Sequence, residues 1–324
     1  MQRRHVLGTL AATVAGATTP WAQAQDAYPS KPIRLIVPLA PGGGTDIVSR
    51  LVAQEMTRQL GASVVVDNVA GGSTTIATST VVRAAPDGYT LLTGTPSMAI
   101  NVGLRRDLKY DVQKDLQPIS LLSSVPYVLV GGPSLKVRTL GELLELAKAK
   151  PGVLTFGSPG IGSGGHLAAE LMQMLTGVKL MHIPYKGSGP ALNDLRSGQI
   201  DLLFATSPAA TPLIEMRAVT GFAVSSLRRM RTLPQIPTLA EAGVPGYESA
   251  SWYGVFAPAR TPKAVIAKLQ GAIHASLRVP SVTEAIRTDG GEPAPTTPEE
   301  LQAYVANEIT KWTAVIEKAG IKGI

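Results

Sequence analysis

Ile36-Val37-Pro38-Leu39-Ala40-Pro41-Gly42-Gly43-Gly44-Thr45-Asp46 and Leu154-Thr155-Phe156-Gly157-Ser158-Pro159-Gly160-Ile161-Gly162-Ser163-Gly164-Gly165-His166 share one pattern: an apolar run, a glycine-rich turn, then the start of a helix. Glycine accepts dihedrals that a Cβ forbids, so such a turn lets backbone N–H groups converge. The helix behind it adds its unpaired first-turn amides and the positive end of its dipole. Either turn alone could be no more than a tight connection. Two of them facing one cleft would hold an anion, at the carboxyl ends of strands where α/β folds place ligands.

Strands and helices alternate outward from both turns. After the first, Ile47, Val48, Leu51, Val52, Met56 and Leu60 recur at helical spacing and Gly61 ends the helix. Val64 to Val66 and Tyr89 to Thr93 read as further strands, and Tyr127 to Val130 opens a second series. Thr139-Leu140-Gly141-Glu142 is a capping box, as is Thr297-Pro298-Glu299-Glu300 near the C-terminus. Met181 to Pro184 and Asp201 to Phe204 are strands around a helix with Pro190 at its start and Gly198 past its end. Trp252 to Ala257 leaves the second series, and a long helix follows Thr261-Pro262. Alternation of this kind implies an α/β protein with mostly parallel sheets. The chain crosses near 122–126 and returns near 225–252. One lobe is therefore expected from 25–124 plus 250–324 and the other from 125–249, with a cleft between them.

The 324 residues, 44% hydrophobic and 16% charged, suit two such units and exclude a disordered chain. Residues 1–24 read as an export signal: Arg3 and Arg4, the uncharged stretch Val6 to Thr19, and the small-x-small site Ala22-Gln23-Ala24. The arginine pair fits either of the two common export routes. Losing both arginines lowers the formal charge from +7 to +5, a modest excess that suits small anions. No basic run with interleaved aromatics predicts nucleic-acid binding. No later run of roughly 18 apolar residues predicts a membrane span. With no cysteine, thiol, disulfide and zinc-thiolate chemistry are excluded.

Gly160-Ile161-Gly162-Ser163-Gly164-Gly165 satisfies G-x-G-x-x-G formally. A dinucleotide site also needs an acidic residue at the end of the next strand, and Leu180-Met181-His182-Ile183-Pro184-Tyr185 ends without one. No nicotinamide or other cofactor is expected. Neither turn ends in Gly-Lys-Ser/Thr, and no G-x-S-x-G or H-E-x-x-H occurs. After position 24 only His166, His182 and His274 remain, at spacings that predict no metal site. Ser163 and His166, with Glu170 one turn on, form the alternative reading, an exported serine hydrolase. A cap or a ligand contact is the better reading of His166, because the helix dipole depresses imidazole basicity there. Asp46 either caps its helix or meets the ligand. Lys186, in Tyr185-Lys186-Gly187-Ser188, is either a cation for a ligand carboxylate or a solvated side chain. Trp252 and Tyr253 are expected to pack between the lobes.

Tyr28-Pro29-Ser30-Lys31-Pro32-Ile33-Arg34, Pro41-Gly42-Gly43-Gly44-Thr45-Asp46, Pro86-Asp87-Gly88-Tyr89-Thr90-Leu91-Leu92, Gly162-Ser163-Gly164-Gly165-His166-Leu167 and Pro184-Tyr185-Lys186-Gly187 occur in this order. Pro237-Thr238-Leu239-Ala240-Glu241-Ala242-Gly243 and Trp252-Tyr253-Gly254-Val255-Phe256-Ala257-Pro258 follow. Together they resemble the Bug-type periplasmic solute-binding proteins, the receptors of tripartite tricarboxylate transporters. The resemblance implies a type II-like, two-lobed periplasmic binding fold that closes on a small carboxylate. The partners it implies are that organic acid and the membrane components of the transporter, and the receptor is expected to act as a monomer.

The family's carboxylate loops map onto Pro41 to Asp46 and onto Ser158 to His166, which includes Gly162, Ser163 and Gly164. Thr93 to Ser97, with Thr95 and Ser97, and Ala205-Thr206-Ser207 are the cleft contacts implied to help choose the ligand. One departure stands out. The family usually reads Asn-Arg-Pro-Gly-Ala-Gly-Gly where this chain has Asn68-Val69-Ala70-Gly71-Gly72-Ser73-Thr74. The hydroxyls of Ser73 and Thr74 thus stand where bare backbone is usual.

Overall fold

The computed structural model describes residues 28–323 apart from Lys186 and Asp289. The expected export signal and the Lys186 contact therefore lie outside the described residues. The first half runs β1 (Ile33–Val37), α1 (Gly44–Leu60), β2 (Val64–Asn68), a 3-10 turn (Gly72–Thr74), α2 (Thr75–Val82), β3 (Thr90–Gly94), α3 (Pro96–Leu104), α4 (Val112–Asp115) and β4 (Leu116–Gly131). Next come α5 (Leu140–Ala149), β5 (Thr155–Ser158), α6 (Gly164–Thr176), β6 (Met181–Pro184), α7 (Ser188–Ser197), β7 (Leu202–Thr206), α8 (Ser207–Glu215) and β8 (Thr220–Val224). The chain ends with β9 (Ala250–Pro258), α9 (Lys263–Leu277), α10 (Pro280–Thr288), β10 (Glu292–Pro293) and α11 (Pro298–Lys318).

The 16-residue β4 organises the whole fold. Its first part, Leu116 to Pro126, pairs antiparallel with β9; its last part, Tyr127 to Gly131, pairs with β7 on one side and β8 on the other. The first sheet accordingly reads β2-β1-β3-β9-β4, with the two-residue β10 on the far side of β4, and the second β6-β5-β7-β4-β8. Each has the order second, first, third, visitor, fourth, and the visitor comes from the other part of the chain: β9 in one sheet, the end of β4 in the other. The core strands β2-β1-β3 and β6-β5-β7 are parallel, as the crossovers require. The visiting strands are antiparallel to them, so each sheet is mixed where the sequence suggested mostly parallel pairing.

Both faces of each sheet are covered. Val48, Val52 and Met56 of α1 pack with Leu269 and Ile273 of α9 and Ile286 of α10 on one face of the first sheet; Ile47 turns outward, 48% exposed. Ala77, Val81, Met98, Leu301 and Val305 cover the other. Helices α5 and α6 face α7 and α8 across the second sheet. Each fully buried aliphatic side chain among these contributes about 1.5–3 kcal/mol. Helix α11 belongs to both units: Leu301 and Val305 pack in the first, Trp312, Val315 and Ile316 in the second. Trp252 on β9 is fully buried where they meet, with Tyr304 edge-on against it.

Candidate functional site

Strand register fixes where the glycine turns point. The end of β3 lies level with β4 near Leu121, since Gly94 pairs with Gly254 and Gly254 with Leu121. The end of β7 lies level with Tyr127, the partner of Thr206. β3 runs parallel to β4 toward the second sheet, while β7 runs antiparallel to it, back toward the first. Their carboxyl ends therefore confront each other across roughly 20 Å of β4, at about 3.3 Å per residue. β1 and β5, parallel to β3 and β7, deliver their glycine turns to the same gap.

In the first turn Pro41, Gly42 and Gly43 are exposed, and Gly43 caps α1 with no side-chain bond to the helix. Among the described residues the first-turn amides of Gly44 and Thr45 have no capping partner. Asp46 is the third helical residue, not the cap, and is almost fully buried. It reaches back to accept from the Gly42 N–H (2.9 Å) and is gripped by Arg50 Nε (3.0 Å) and Asn68 Nδ2 (2.9 Å). Asn68 also donates to Leu39 O, 3.0 Å, closing the ring around the turn. Burial alone pushes the Asp46 carboxyl up, but the bonds from Arg50, Gly42 and Asn68 outweigh it and hold it below the usual carboxylate range. The Asp46 carboxylate is directed into the protein, as a brace for the turn.

In the second turn Ser163 caps α6, its hydroxyl accepting from the His166 N–H at 3.3 Å. The His166 ring does not engage that hydroxyl. Its Nδ1 accepts from the Gly162 N–H (3.1 Å), and Nε2 lies 3.6 Å from Glu170 Oε1. The serine–imidazole bond that a hydrolase needs is replaced by one that folds the turn. Ser158 is fully buried; its Oγ accepts from the Gly160 N–H (3.2 Å) and lies 2.7 Å from His182 Nε2. The rings of His182 and His166 stack with centroids 3.9 Å apart, and Phe156 lies beside the pair, 4.7 Å from His182 and 6.1 Å from His166. Gly164 is confined by Tyr127, whose Oη would lie 2.0 Å from a Cβ there.

Burial, with the charge of His166 as a lesser cause, lowers the His182 pKa to about 4. An unfolded chain binds that proton near pH 6.5. The contribution of neutral His182 is thus complete above pH 6.5 and is lost as pH falls toward 4. In urea titrations, wild type should lose about 2 kcal/mol between pH 7 and 4.5 beyond what His182→Gln loses. Equal losses in the two proteins would refute the assignment.

Ser73 and Thr74 adopt left-handed φ of 52° and 79°, the region that favours glycine. A β-branched residue there is a strained outlier. The Ser73 carbonyl is held by Asn101 Nδ2 at 2.7 Å. The buried Oγ1 atoms of Thr74 and of Thr95, the cap of α3, have no hydrogen-bond partner among the described residues. Ser97 is half-buried in the first turn of α3. Thr206 is exposed and Ser207 buried at the start of α8. Tyr185 bonds away to Asp194 Oδ2 (2.7 Å), and burial together with that bond pushes its pKa up to about 12. Among the described residues there is no cluster of three or more histidine, aspartate or glutamate side chains suited to a metal.

The sequence profile described as "Tripartite tricarboxylate transporter family receptor" matches residues 48–321. The chain belongs to this receptor family. BugT of Bordetella pertussis is 38% identical over 319 residues, covering 98% of this chain and 97% of that protein. Two solved structures from Rhodopseudomonas palustris share the fold. Rpa4515 with adipate is 38% identical at TM-score 0.79, covering 92% of this chain and 100% of that one. MatC with bound malate is 31% identical at TM-score 0.75, covering 89% and 100%. The periplasmic binding protein BugD is also similar, 36% identical at TM-score 0.76, covering 92% and 100%. The receptor family and its two-lobed fold are those the sequence motifs implied, and among the described residues no helix is long and apolar enough to cross a membrane.

Proposed function

We propose that this chain is a periplasmic receptor that captures a small organic carboxylate between its lobes and delivers it to a tripartite tricarboxylate transporter. The observation that carries the reading is the opposition of two glycine-turn and helix-start units across one gap, with the first turn's amides uncapped. Such amides recognise any carboxylate, and closure strengthens them by excluding water. Leu39, Ile47 and Ile161, apolar and exposed by 42%, 48% and 54% on the two turns and the first turn of α1, suit the hydrocarbon part of such an acid. The relatives with adipate and malate support a dicarboxylate. In this reading Asp46, Ser158, His166 and Tyr185 shape the turns, while the amides of 43–45 and those of Ile161, Gly164 and Gly165, with Thr74, Thr95 and Lys186, meet the ligand. The lobes divide near 124/125 and 249/250.

The test is a thermal-shift series on residues 25–324 against mono-, di- and tricarboxylates. A true ligand at about 100 times its Kd adds about 2.7 kcal/mol, a rise of several degrees. Absence of any shift across the series would refute the reading.

A further inference from the structure

A concavity of about 940 Å³ lies beside the crossing strand, at the level of the gap. One wall is the segment after β8, with Leu227, Arg228, Arg229 and Arg231; the other is the α10–β10 turn with Arg287; Ser124 and Pro126 of β4 form the floor. It shares no residue with the glycine turns. Arg229 is held by Glu241 (2.7 Å) and Arg287 by Glu292 (3.4 Å). Arg228 and Arg231 are exposed and make no ion pair among the described residues. Among the described residues the acids on its wall are Glu284 and Glu292 against four arginines, and Leu227 beside it is 62% exposed.

The two walls come from different sheets, so the width of the groove depends on how the lobes are set. Gly290, with φ of 75°, seats the turn against Ser207 at the start of α8; a Cβ there would lie 2.2 Å from the serine side chain. Ser207 begins the helix behind the carboxyl end of β7, the strand end that faces the gap. Gly290 thus ties a wall of the groove on the first sheet's side to the strand end of the second sheet that faces the gap.

We propose that this groove is the docking surface for an acidic segment of the transporter's membrane subunit, with Arg228 and Arg231 pairing to its carboxylates and Leu227 packing on an apolar side chain beside them. The proposal rests on the receptor reading above. Unpaired, exposed arginines on a wide groove suit an extended chain that steers in by charge, and a groove built from both lobes lets the partner distinguish a loaded receptor from an empty one.

The test places a photo-crosslinking amino acid at Leu227 of the full chain in its native host. The expected product is an adduct with a membrane subunit of a tripartite tricarboxylate transporter, identified by mass spectrometry. Its yield should fall at least tenfold in Arg228→Glu/Arg231→Glu, while the thermal shift with malate or adipate is unchanged. If that variant is unstable, Arg228→Gln/Arg231→Gln should give the same fall. An adduct only with a second copy or a soluble protein, no adduct, or an unchanged yield would overturn the proposal. Loss of the carboxylate shift in the wild type would instead overturn the receptor reading.

Discussion

Glu308→Ala should destabilise the protein by about 3–5 kcal/mol. Glu308 is 3% exposed on α11, and its Oε2 accepts from both Trp252 Nε1 (3.1 Å) and Trp312 Nε1 (2.9 Å). Lys311 pairs with the other oxygen. The two indoles are buried completely or nearly so. Truncation leaves two donors facing no acceptor, an unpaired lysine and a cavity between a crossing strand and the helix that spans both units. Glu308→Gln keeps one oxygen for the indoles but loses the charge and the acceptor of Lys311, which is part-exposed and can turn to water, so its cost should be about 1–2 kcal/mol. Urea unfolding followed by tryptophan fluorescence reads both. A cost below about 1 kcal/mol for the alanine variant would mean that water replaces the carboxylate.

What could be read in the sequence were the features whose causes are local. The capping boxes at Thr139 and Thr297 form as their spacing requires. Gly61 and Gly198 end their helices in the left-handed conformation, since only glycine reaches it without strain. The crossing strand was the main loss. Pro118 and Pro126 argue against a continuous strand by the ordinary rule that proline cannot feed a ladder. In the fold, Pro118 sits at a register shift against β9, and Pro126 is the last residue paired there before Tyr127 changes partner to β7. The prolines mark irregularities in the pairing and do not end β4. Helix α3 has a local signal, Thr95-Pro96, a cap followed by proline at the first helical position.

At the site, the glycine turns were legible and their bracing was not. The partner that explains Asp46 is Asn68, 22 residues away at the end of β2. The partner that explains His166 is His182, on β6. Neither pairing leaves a spacing that one sequence reveals, because each depends on how parallel strands are ordered side by side. Ser73 and Thr74 are a different case. Their departure from the glycines usual in the family was visible, and the backbone kept the glycine conformation at both positions. The orphaned Thr74 hydroxyl is, on the proposed reading, the polar group that accompanies that strain and waits for a ligand partner.

The sign of the effect of Asp46→Ala on carboxylate affinity decides what the braced geometry of the first turn is for. A carboxylate bordering an anion site would repel its ligand, and removing it would tighten binding. The bonds to Gly42, Arg50 and Asn68 instead direct that charge into the protein, where it fixes the path of the exposed turn before any ligand arrives. Without it the Gly42 N–H, the Arg50 guanidinium and the Asn68 amide lose a common acceptor. The ligand must then order the turn out of its own binding energy. Affinity for whichever carboxylate stabilises the wild type should fall at least tenfold, about 1.4 kcal/mol. Stability without ligand should fall by about 2 kcal/mol, discounted because Arg50 is half exposed. Asp46→Asn keeps an acceptor for Gly42 and should lie between. Calorimetric titration reads the affinity directly: tighter binding by the alanine variant would show that Asp46 faces the ligand and that the amides work against it, not through it.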